Sequence, residues 1–162
     1  MSVDPAISLK LVQKELEQCK KNAERFGWTI TEINEIEQTF TIAMASPIDK
    51  EVYIMEVKFD NYKEWPPLIE FIHPITKERG TKNAYPMSSG IYGSFFHNRP
   101  CICHPCSRKA YGGYTGLHND WGDPGSWLQN PKIGSLTNIY AILQTIYIRI
   151  SNPEAYGGRM SG

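Results

Sequence analysis

The feature that most constrains the fold is a change of hydrophobic period near residue 28. Residues 7–26 repeat apolar side chains at three-, four- and five-residue steps, which predicts an amphipathic helix ended by Gly27. Between residues 28 and 59, three runs alternate apolar and polar side chains, and a fourth run follows at 68–72. Period-two runs separated by turn residues predict a four-stranded antiparallel meander.

The rest of the chain alternates between irregular segments and one more helix. Residues 74–114 and 112–134 show no sustained period, and we expect them to be ordered loops that carry function. Apolar residues from 136 to 150 predict a buried helix, with Ser135 as its N-cap and a stop at residues 152–153. The fold class is therefore α+β, with helices packed on an antiparallel sheet. We expect one domain over residues 1–162, with a core at about 7–152 and a frayed tail at 153–162.

Length and charge exclude several classes of protein. The chain has 162 residues, with 17 basic and 17 acidic side chains and a formal net charge of +0. One domain of ordinary size accounts for this length, and the charge balance argues against a nucleic-acid-coating protein. The sequence has no apolar run that could span a bilayer, and its first residues lack a secretory layout. We therefore expect a cytoplasmic protein with no direct nucleic-acid or membrane partner.

The four cysteines are unevenly placed. Cys19 lies on the apolar stripe of the first helix, where a small buried side chain is expected. Cys101, Cys103 and Cys106 fall within six residues of one irregular segment. In a reducing compartment such a cluster is typical of metal binding or chemical reactivity rather than of a disulfide framework.

Three local motifs follow one another along the chain. In residues 59–71, FDNYKEWPPLIEF, an aromatic strand end and a tyrosine precede a Pro-Pro pair that opens the next strand. His97-Asn98 is followed by Cys101-Ile102-Cys103, and Trp127 and Pro131 come before the last predicted helix. In this order the motifs resemble those of ubiquitin-conjugating enzymes. The second is similar to the family's His-Pro-Asn and Ile-Cys active-site segment, and the third to its Trp-x-Pro step into the helix that follows the active site.

The resemblance covers roughly residues 9–152 and includes three departures. The His-Pro-Asn motif is reduced to His97-Asn98, the interval from Asn98 to the cysteines is short, and the stretch from Cys103 to Trp127 is long, with extra Cys and His residues. The chain is therefore more similar to the divergent bacterial relatives found in anti-phage (CBASS-like) defence operons than to eukaryotic enzymes. The resemblance implies a ubiquitin-conjugating-like fold.

The resemblance also implies an activity and partners. A cysteine would form a thioester with the C-terminal glycine of a protein, either a ubiquitin-like protein or a cGAS-like nucleotidyltransferase, and pass it to an amine. No phosphate-binding Gly-rich motif is present, so we expect no nucleotide cofactor and assign adenylation to a separate activating enzyme.

Two cysteines are candidate nucleophiles. The Ile102-Cys103 step favours Cys103 by resemblance to the family. Cys103 and Cys106, however, form a Cys-x-x-Cys pair that can be held in a disulfide or on a metal, which leaves Cys101 free and slightly preferred. The resemblance assigns Asn98 to the oxyanion or to the shape of the loop.

Three histidines are also candidate site residues. His97 belongs to the resembling motif and adds cationic support beside the cysteines. His104 and His118 lie in the irregular segments, and either imidazole is suited to deprotonate an attacking amine or hydroxyl.

A zinc site is the main competing interpretation. Cys103, Cys106 and His118 can supply metal ligands, which would make the chain a catalytically inactive binding module of the same fold. A redox protein that uses Cys103 and Cys106 is a third possibility, but the βαβ pattern of thioredoxins is lacking.

Overall fold

The computed structural model describes residues 2–162, apart from the side chain of Tyr92. Helix α1 spans Pro5–Phe26, and helix α2 spans Ile139–Ser151. Between them lies one four-stranded sheet, whose strands are Thr29–Ile30 (β1), Thr39–Ala45 (β2), Val52–Lys58 (β3) and Leu68–Ile72 (β4). The expected α+β order of helix, antiparallel sheet and helix is confirmed.

The sheet is the predicted meander, with strand order β1-β2-β3-β4 and every pair antiparallel. Burial alternates strictly along β2 and β4, so every second side chain enters the core. Both helices contribute apolar side chains to that same core. From the sheet these are Phe40, Ile42, Met44, Tyr53, Met55, Val57, Ile69 and Phe71, and from the helices Val12, Leu16, Ile142, Leu143, Ile146 and Ile150.

Helix α1 begins and ends close to the predicted bounds because its caps are strong. The Asp4 side chain accepts a hydrogen bond from the Ala6 amide, and Pro5 occupies the first turn, where its missing N–H is not needed. Gly27 has a φ of 72°, the left-handed conformation that ends helices and that glycine adopts without strain. Cys19 is fully buried on the apolar face, as predicted.

Helix α2 begins later than predicted. Asn138, not Ser135, is the N-cap, and its side chain accepts a hydrogen bond of 2.8 Å from the Ala141 amide. The amide of Ile139, the first residue of this helix, donates to the Glu15 carboxylate of α1 at 2.7 Å. A contact between the two helices therefore helps to set the start of α2.

The expected frayed tail is wrong. Residues Tyr156–Arg159 form a strand, β8, that pairs antiparallel with strand β5, Pro86–Ser88. The Arg159 guanidinium donates to the backbone carbonyl of Asn83 and forms an ion pair with Glu51. Hydrogen bonds and a charged anchor thus hold the C-terminal residues.

The segment between β4 and α2 is ordered by short elements. Strands Phe96–His97 (β6) and Cys101–Ile102 (β7) form a small hairpin. The 3-10 turns in the second half of the segment are Arg108–Ala110, Asn119–Trp121 and Pro124–Gln129. Within residues 2–162, no helix is both long and apolar enough to cross a membrane.

Candidate functional site

The β6–β7 hairpin carries the three-cysteine cluster. His97 pairs with Cys101 and Phe96 with Ile102, and the Cys103 amide then donates to the Phe95 carbonyl at 2.7 Å. Cys101 and Ile102 are buried, whereas Cys103, just past the strand end, is half-buried. The hairpin therefore brings one cysteine of the cluster to the surface.

A buried arginine fixes the chain that follows Cys103. Arg108 is 2% exposed, and its Nε donates to the Pro66 carbonyl at 3.0 Å. Its Nη1 and Nη2 donate to the side chain and backbone of Asp60 at 2.8 and 2.9 Å. Its guanidinium also lies 5.3 Å from the centroid of the Trp65 ring. The Trp-Pro-Pro corner before β4 is thus tied directly to the loop of the cysteine cluster.

His118 meets Cys103. The Cys103 Sγ and the His118 Nε2 are 3.1 Å apart, within hydrogen-bond distance for sulfur. The His118 ring stacks on Trp121 with a centroid distance of 3.7 Å and an interplanar angle of 5°. On the other side of the imidazole, the Asp120 carboxylate lies 3.8 Å from Nδ1. A thiol and an imidazole within hydrogen-bond reach are the arrangement of an activated nucleophile, and the exposed Asp120 carboxylate is near the imidazole but beyond hydrogen-bond distance.

The loop that carries His118 is held against the cysteine loop. The His118 amide donates to the Ala110 carbonyl at 3.0 Å, and residues 111 and 118 form a parallel bridge. Tyr111 is fully buried, packs edge-on against Trp121 at 5.4 Å, and donates its hydroxyl to the Pro105 carbonyl. The imidazole plane is therefore supported by a packed aromatic pair.

Electrostatics keep the Cys103 thiol protonated unless a base assists it. Partial burial raises the pKa of Cys103, and the nearby positive charge of Lys132 acts in the opposite direction. Only the thiolate is a good nucleophile, so a group able to accept the thiol proton is needed at neutral pH. His118 Nε2 is in position to be that group.

The other two cysteines of the cluster are less suited to attack a substrate. Cys101 and Cys106 are both fully buried. Burial raises the pKa of Cys101 to about 11 against a smaller opposing effect of a hydrogen bond from Thr115, and burial raises the pKa of Cys106 further. The partial exposure of Cys103 and its contact with His118 therefore favour Cys103 as the nucleophile. The sequence alone had slightly favoured Cys101.

The His97-Asn98 motif lies at the tip of the hairpin. The Arg99 amide donates to the His97 Nδ1 at 2.9 Å, which fixes the ring. Burial, with smaller effects of Arg99 and His118, lowers the pKa of His97, so this imidazole is near the site and favours its neutral form. Asn98 is exposed in the turn that joins β6 to β7. Within residues 2–162, no hydrogen bond joins Asn98 to Cys103, so its place is that of a turn residue.

His104 has a structural contact. Its Nδ1 accepts a hydrogen bond from the Cys106 amide at 3.1 Å. Burial, together with the positive charge of Arg149, lowers the pKa of His104 to about 4. Because its Nδ1 is bonded to a backbone amide, His104 helps to hold the loop. His118, which contacts the Cys103 sulfur, is the better placed proton acceptor.

The alternative metal ligands come together only in part. Cys103 and His118 are in contact, while Cys106 is buried and its amide is bonded to His104. Across the part of the chain that the structure describes, no group of three or more His, Cys, Asp or Glu side chains could hold a metal ion. A closed zinc site requires four ligands, so the geometry gives the zinc interpretation little support.

His118 was a candidate from the sequence, but its stacking on Trp121 and its proximity to Asp120 were not predicted. The run His118-Asn-Asp-Trp121 places an acid and a large aromatic ring next to one imidazole. In a 3-10 turn, side chains three positions apart lie on the same side, so the spacing of His118 and Trp121 in that run was a usable signal for their contact.

No protein-family model matches the chain, and a search of curated proteins finds no relative.

Proposed function

We propose that this chain is a ubiquitin-conjugating-like cysteine transferase with Cys103 as its nucleophile. In this proposal Cys103 takes the C-terminal glycyl group of a protein partner as a thioester and passes it to an acceptor amine. The observation that carries the proposal is the 3.1 Å contact between the half-buried Cys103 sulfur and the His118 imidazole.

The architecture supports the ubiquitin-conjugating-like assignment. The N-terminal helix, four-stranded meander and C-terminal helix follow the order that the motif resemblance implies. The Pro-Pro corner and the cysteine loop are two of the resembling motifs, and Arg108 joins them through hydrogen bonds to Asp60 and Pro66. Trp127, from the third motif, donates its indole N–H to the Lys63 carbonyl beside the same corner.

The site geometry supports a loading step by thioester exchange. The Cys103 S–H proton passes to His118 Nε2, and the sulfur forms a bond to the acyl carbon of the incoming thioester. The bond from that carbon to the donor sulfur then breaks, and the proton passes from Nε2 to the leaving thiolate. Exchange between two thiols leaves the acyl group activated, as a carrier requires.

The partners follow from the resemblance. The acyl donor would be a ubiquitin-like protein or a cGAS-like nucleotidyltransferase that ends in glycine, activated by a separate enzyme. The setting would be the bacterial cytoplasm, in anti-phage defence.

A synthetic peptide that ends in glycine, supplied as its 2-mercaptoethanesulfonate thioester, tests the proposal without a known partner. The wild-type protein should gain the peptide mass, and dithiothreitol should remove it. Cys103→Ser should retain the peptide as an ester that resists dithiothreitol, and Cys103→Ala should gain nothing.

Cys101→Ala is the matched control, and it should load like the wild type. Thioester formation that persists in Cys103→Ala would refute the assignment of the nucleophile. If neither cysteine variant changes the loading, the mechanism itself is wrong.

A further inference from the structure

The position of His118 has a use beyond the loading step. In the free protein Nε2 lies 3.1 Å from the Cys103 sulfur. Once Cys103 is acylated, its sulfur has no proton to give, and Nε2 is left able to accept a proton from another donor. The acyl carbon is bonded to the sulfur, so an incoming nucleophile must approach within reach of the same nitrogen. A base within hydrogen-bond reach of the attacking atom is the requirement for general-base catalysis.

Acceptors differ in how much they need such a base. An amine is a strong nucleophile once it is neutral, and a lysine side chain loses its proton with a pKa of about 10.4. A hydroxyl is far less acidic, as the pKa of about 15.7 for water illustrates. It attacks at a useful rate only if its proton is removed as the new bond forms. A fixed imidazole therefore matters most for a hydroxyl acceptor.

The fixed charges near the site also favour a neutral acceptor. Lys132 exerts a positive field on Cys103, and Lys109 and Arg99 do the same on the adjacent Cys101. The Asp120 carboxylate lies by Nδ1, the imidazole nitrogen that does not contact the sulfur. An ammonium group would have to approach the sulfur against those cations, whereas a hydroxyl carries no charge.

An open cavity of about 410 Å³ lies beside the stacked His118 and Trp121 rings. Its wall includes Trp121, which connects it to the site, one residue of each charge, Asp120 and Lys132, and the neutral polar residues Ser126, Gln129 and Asn130. Hydroxyl and amide groups on a wall provide hydrogen-bond partners for a polar, uncharged molecule. The cavity thus offers a surface on which a hydroxyl-bearing acceptor can be held.

We propose that the Cys103 thioester is passed to hydroxyl groups as well as to the amines of the proposed function, with His118 as the general base for the hydroxyl; this inference rests on the proposed transferase function. The hydroxyl proton moves to Nε2 as the oxygen bonds to the acyl carbon. The bond from that carbon to the Cys103 sulfur then breaks, and Nε2 returns the proton to the sulfur. The products are an ester and the free thiol, with no oxidant or reductant consumed.

The test uses the full chain loaded with the glycine-terminated peptide thioester and then freed of excess probe. Discharge is followed by intact mass in buffer alone and with N-acetylserinamide, glycerol, N-acetyllysinamide or hydroxylamine. The serine derivative represents protein hydroxyls, and glycerol represents free polyols. We expect at least one hydroxyl compound to discharge wild-type protein faster than buffer does, with the ester product detected.

His118→Asn should lower hydroxyl discharge by about 100-fold, the lower end of a general-base contribution. Hydroxylamine is a strong nucleophile that needs little base assistance, so its discharge rate should change by less than about threefold. This second readout separates loss of the base from a collapsed site. His73→Asn, at a histidine in the turn after β4, is the matched control and should behave like the wild type.

Each failure has a distinct meaning. Absence of any Cys103 thioester would refute the proposed function, and the inference would fall with it. Normal loading without hydroxyl discharge above buffer, or equal hydroxyl discharge in His118→Asn, would overturn the inference and leave the transferase proposal standing.

Discussion

Replacing Arg108 by methionine should lower the free energy of unfolding by about 3 kcal/mol. Methionine keeps most of the length and apolar volume of the side chain but removes the guanidinium. Three acceptors then lose their donor: the Pro66 carbonyl, the Asp60 carbonyl and the Asp60 carboxylate. Arg108 is 2% exposed, so water does not readily replace it.

The magnitude follows from the exposure of each acceptor. A buried acceptor left without a partner costs about 1–3 kcal/mol, and the two carbonyls are assigned the lower end of that range. The Asp60 side chain is 32% exposed, so water can solvate it again, and its ion pair contributes about 1 kcal/mol at most. Together these losses come to about 3 kcal/mol.

Urea unfolding monitored by tryptophan fluorescence measures this loss, with the m-value showing whether the transition stays two-state. Asp60→Asn is the matched control, because it removes the charge but leaves both carbonyl contacts of Arg108. We expect it to cost about 1 kcal/mol or less. The reasoning is refuted if Arg108→Met costs under about 1 kcal/mol, or if Asp60→Asn costs as much as Arg108→Met.

Two further changes probe the contacts around the core and the loop. Glu15→Leu should cost about 2 kcal/mol in urea unfolding, because it removes the one oxygen, Oε1, that accepts hydrogen bonds from both the Tyr62 hydroxyl and the Ile139 amide; an unchanged midpoint would contradict it. His104 should destabilise the fold as pH falls from 6.5 towards 4, because its pKa is lowered from 6.5 to about 4 and the unfolded chain binds the proton first. Between pH 7 and pH 5, the wild type should therefore lose about 1 kcal/mol more than His104→Gln, after allowance for partial exposure of the ring; equal losses would show that His104 is not involved.

The periodic parts of the chain were predictable. Helix α1 and strands β2 to β4 follow from local patterns of 3.6 and two residues, which burial then reproduces. The start of α2 was not, since Ser135 and Asn138 are both good caps by residue type. The structure selects Asn138, at a helix end whose first amide is bonded to Glu15, 124 residues away along the chain.

Strand β8 could not be predicted for a similar reason. Gly157 and Gly158 supply no side-chain alternation, and glycine is depleted in strands. The strand forms because its partner, β5, lies about 70 residues earlier in the chain and presents a free edge. Pairing of that range is a property of the tertiary fold, not of the local sequence.

The candidate site was predictable in its residue types but not in its pairing. Both Cys101 and Cys103 were candidate nucleophiles, yet Cys101 is buried within β7 and Cys103 lies beyond its end. The Cys103–His118 contact spans 15 residues of irregular chain. These two residues are brought together by the packing of Tyr111 on Trp121 and by the bridge between residues 111 and 118. No hydrophobic period in the sequence predicts these contacts.

Alkylation by iodoacetamide at pH 7, followed by peptide mapping, tests most directly whether Cys103 and His118 form the reactive pair. Cys103 should be labelled first, while the buried Cys19, Cys101 and Cys106 stay protected in the folded protein. His118→Asn should slow labelling of Cys103 by about tenfold or more without exposing the other thiols. Faster labelling of Cys101 than of Cys103, or a Cys103 rate that does not depend on His118, would contradict the account.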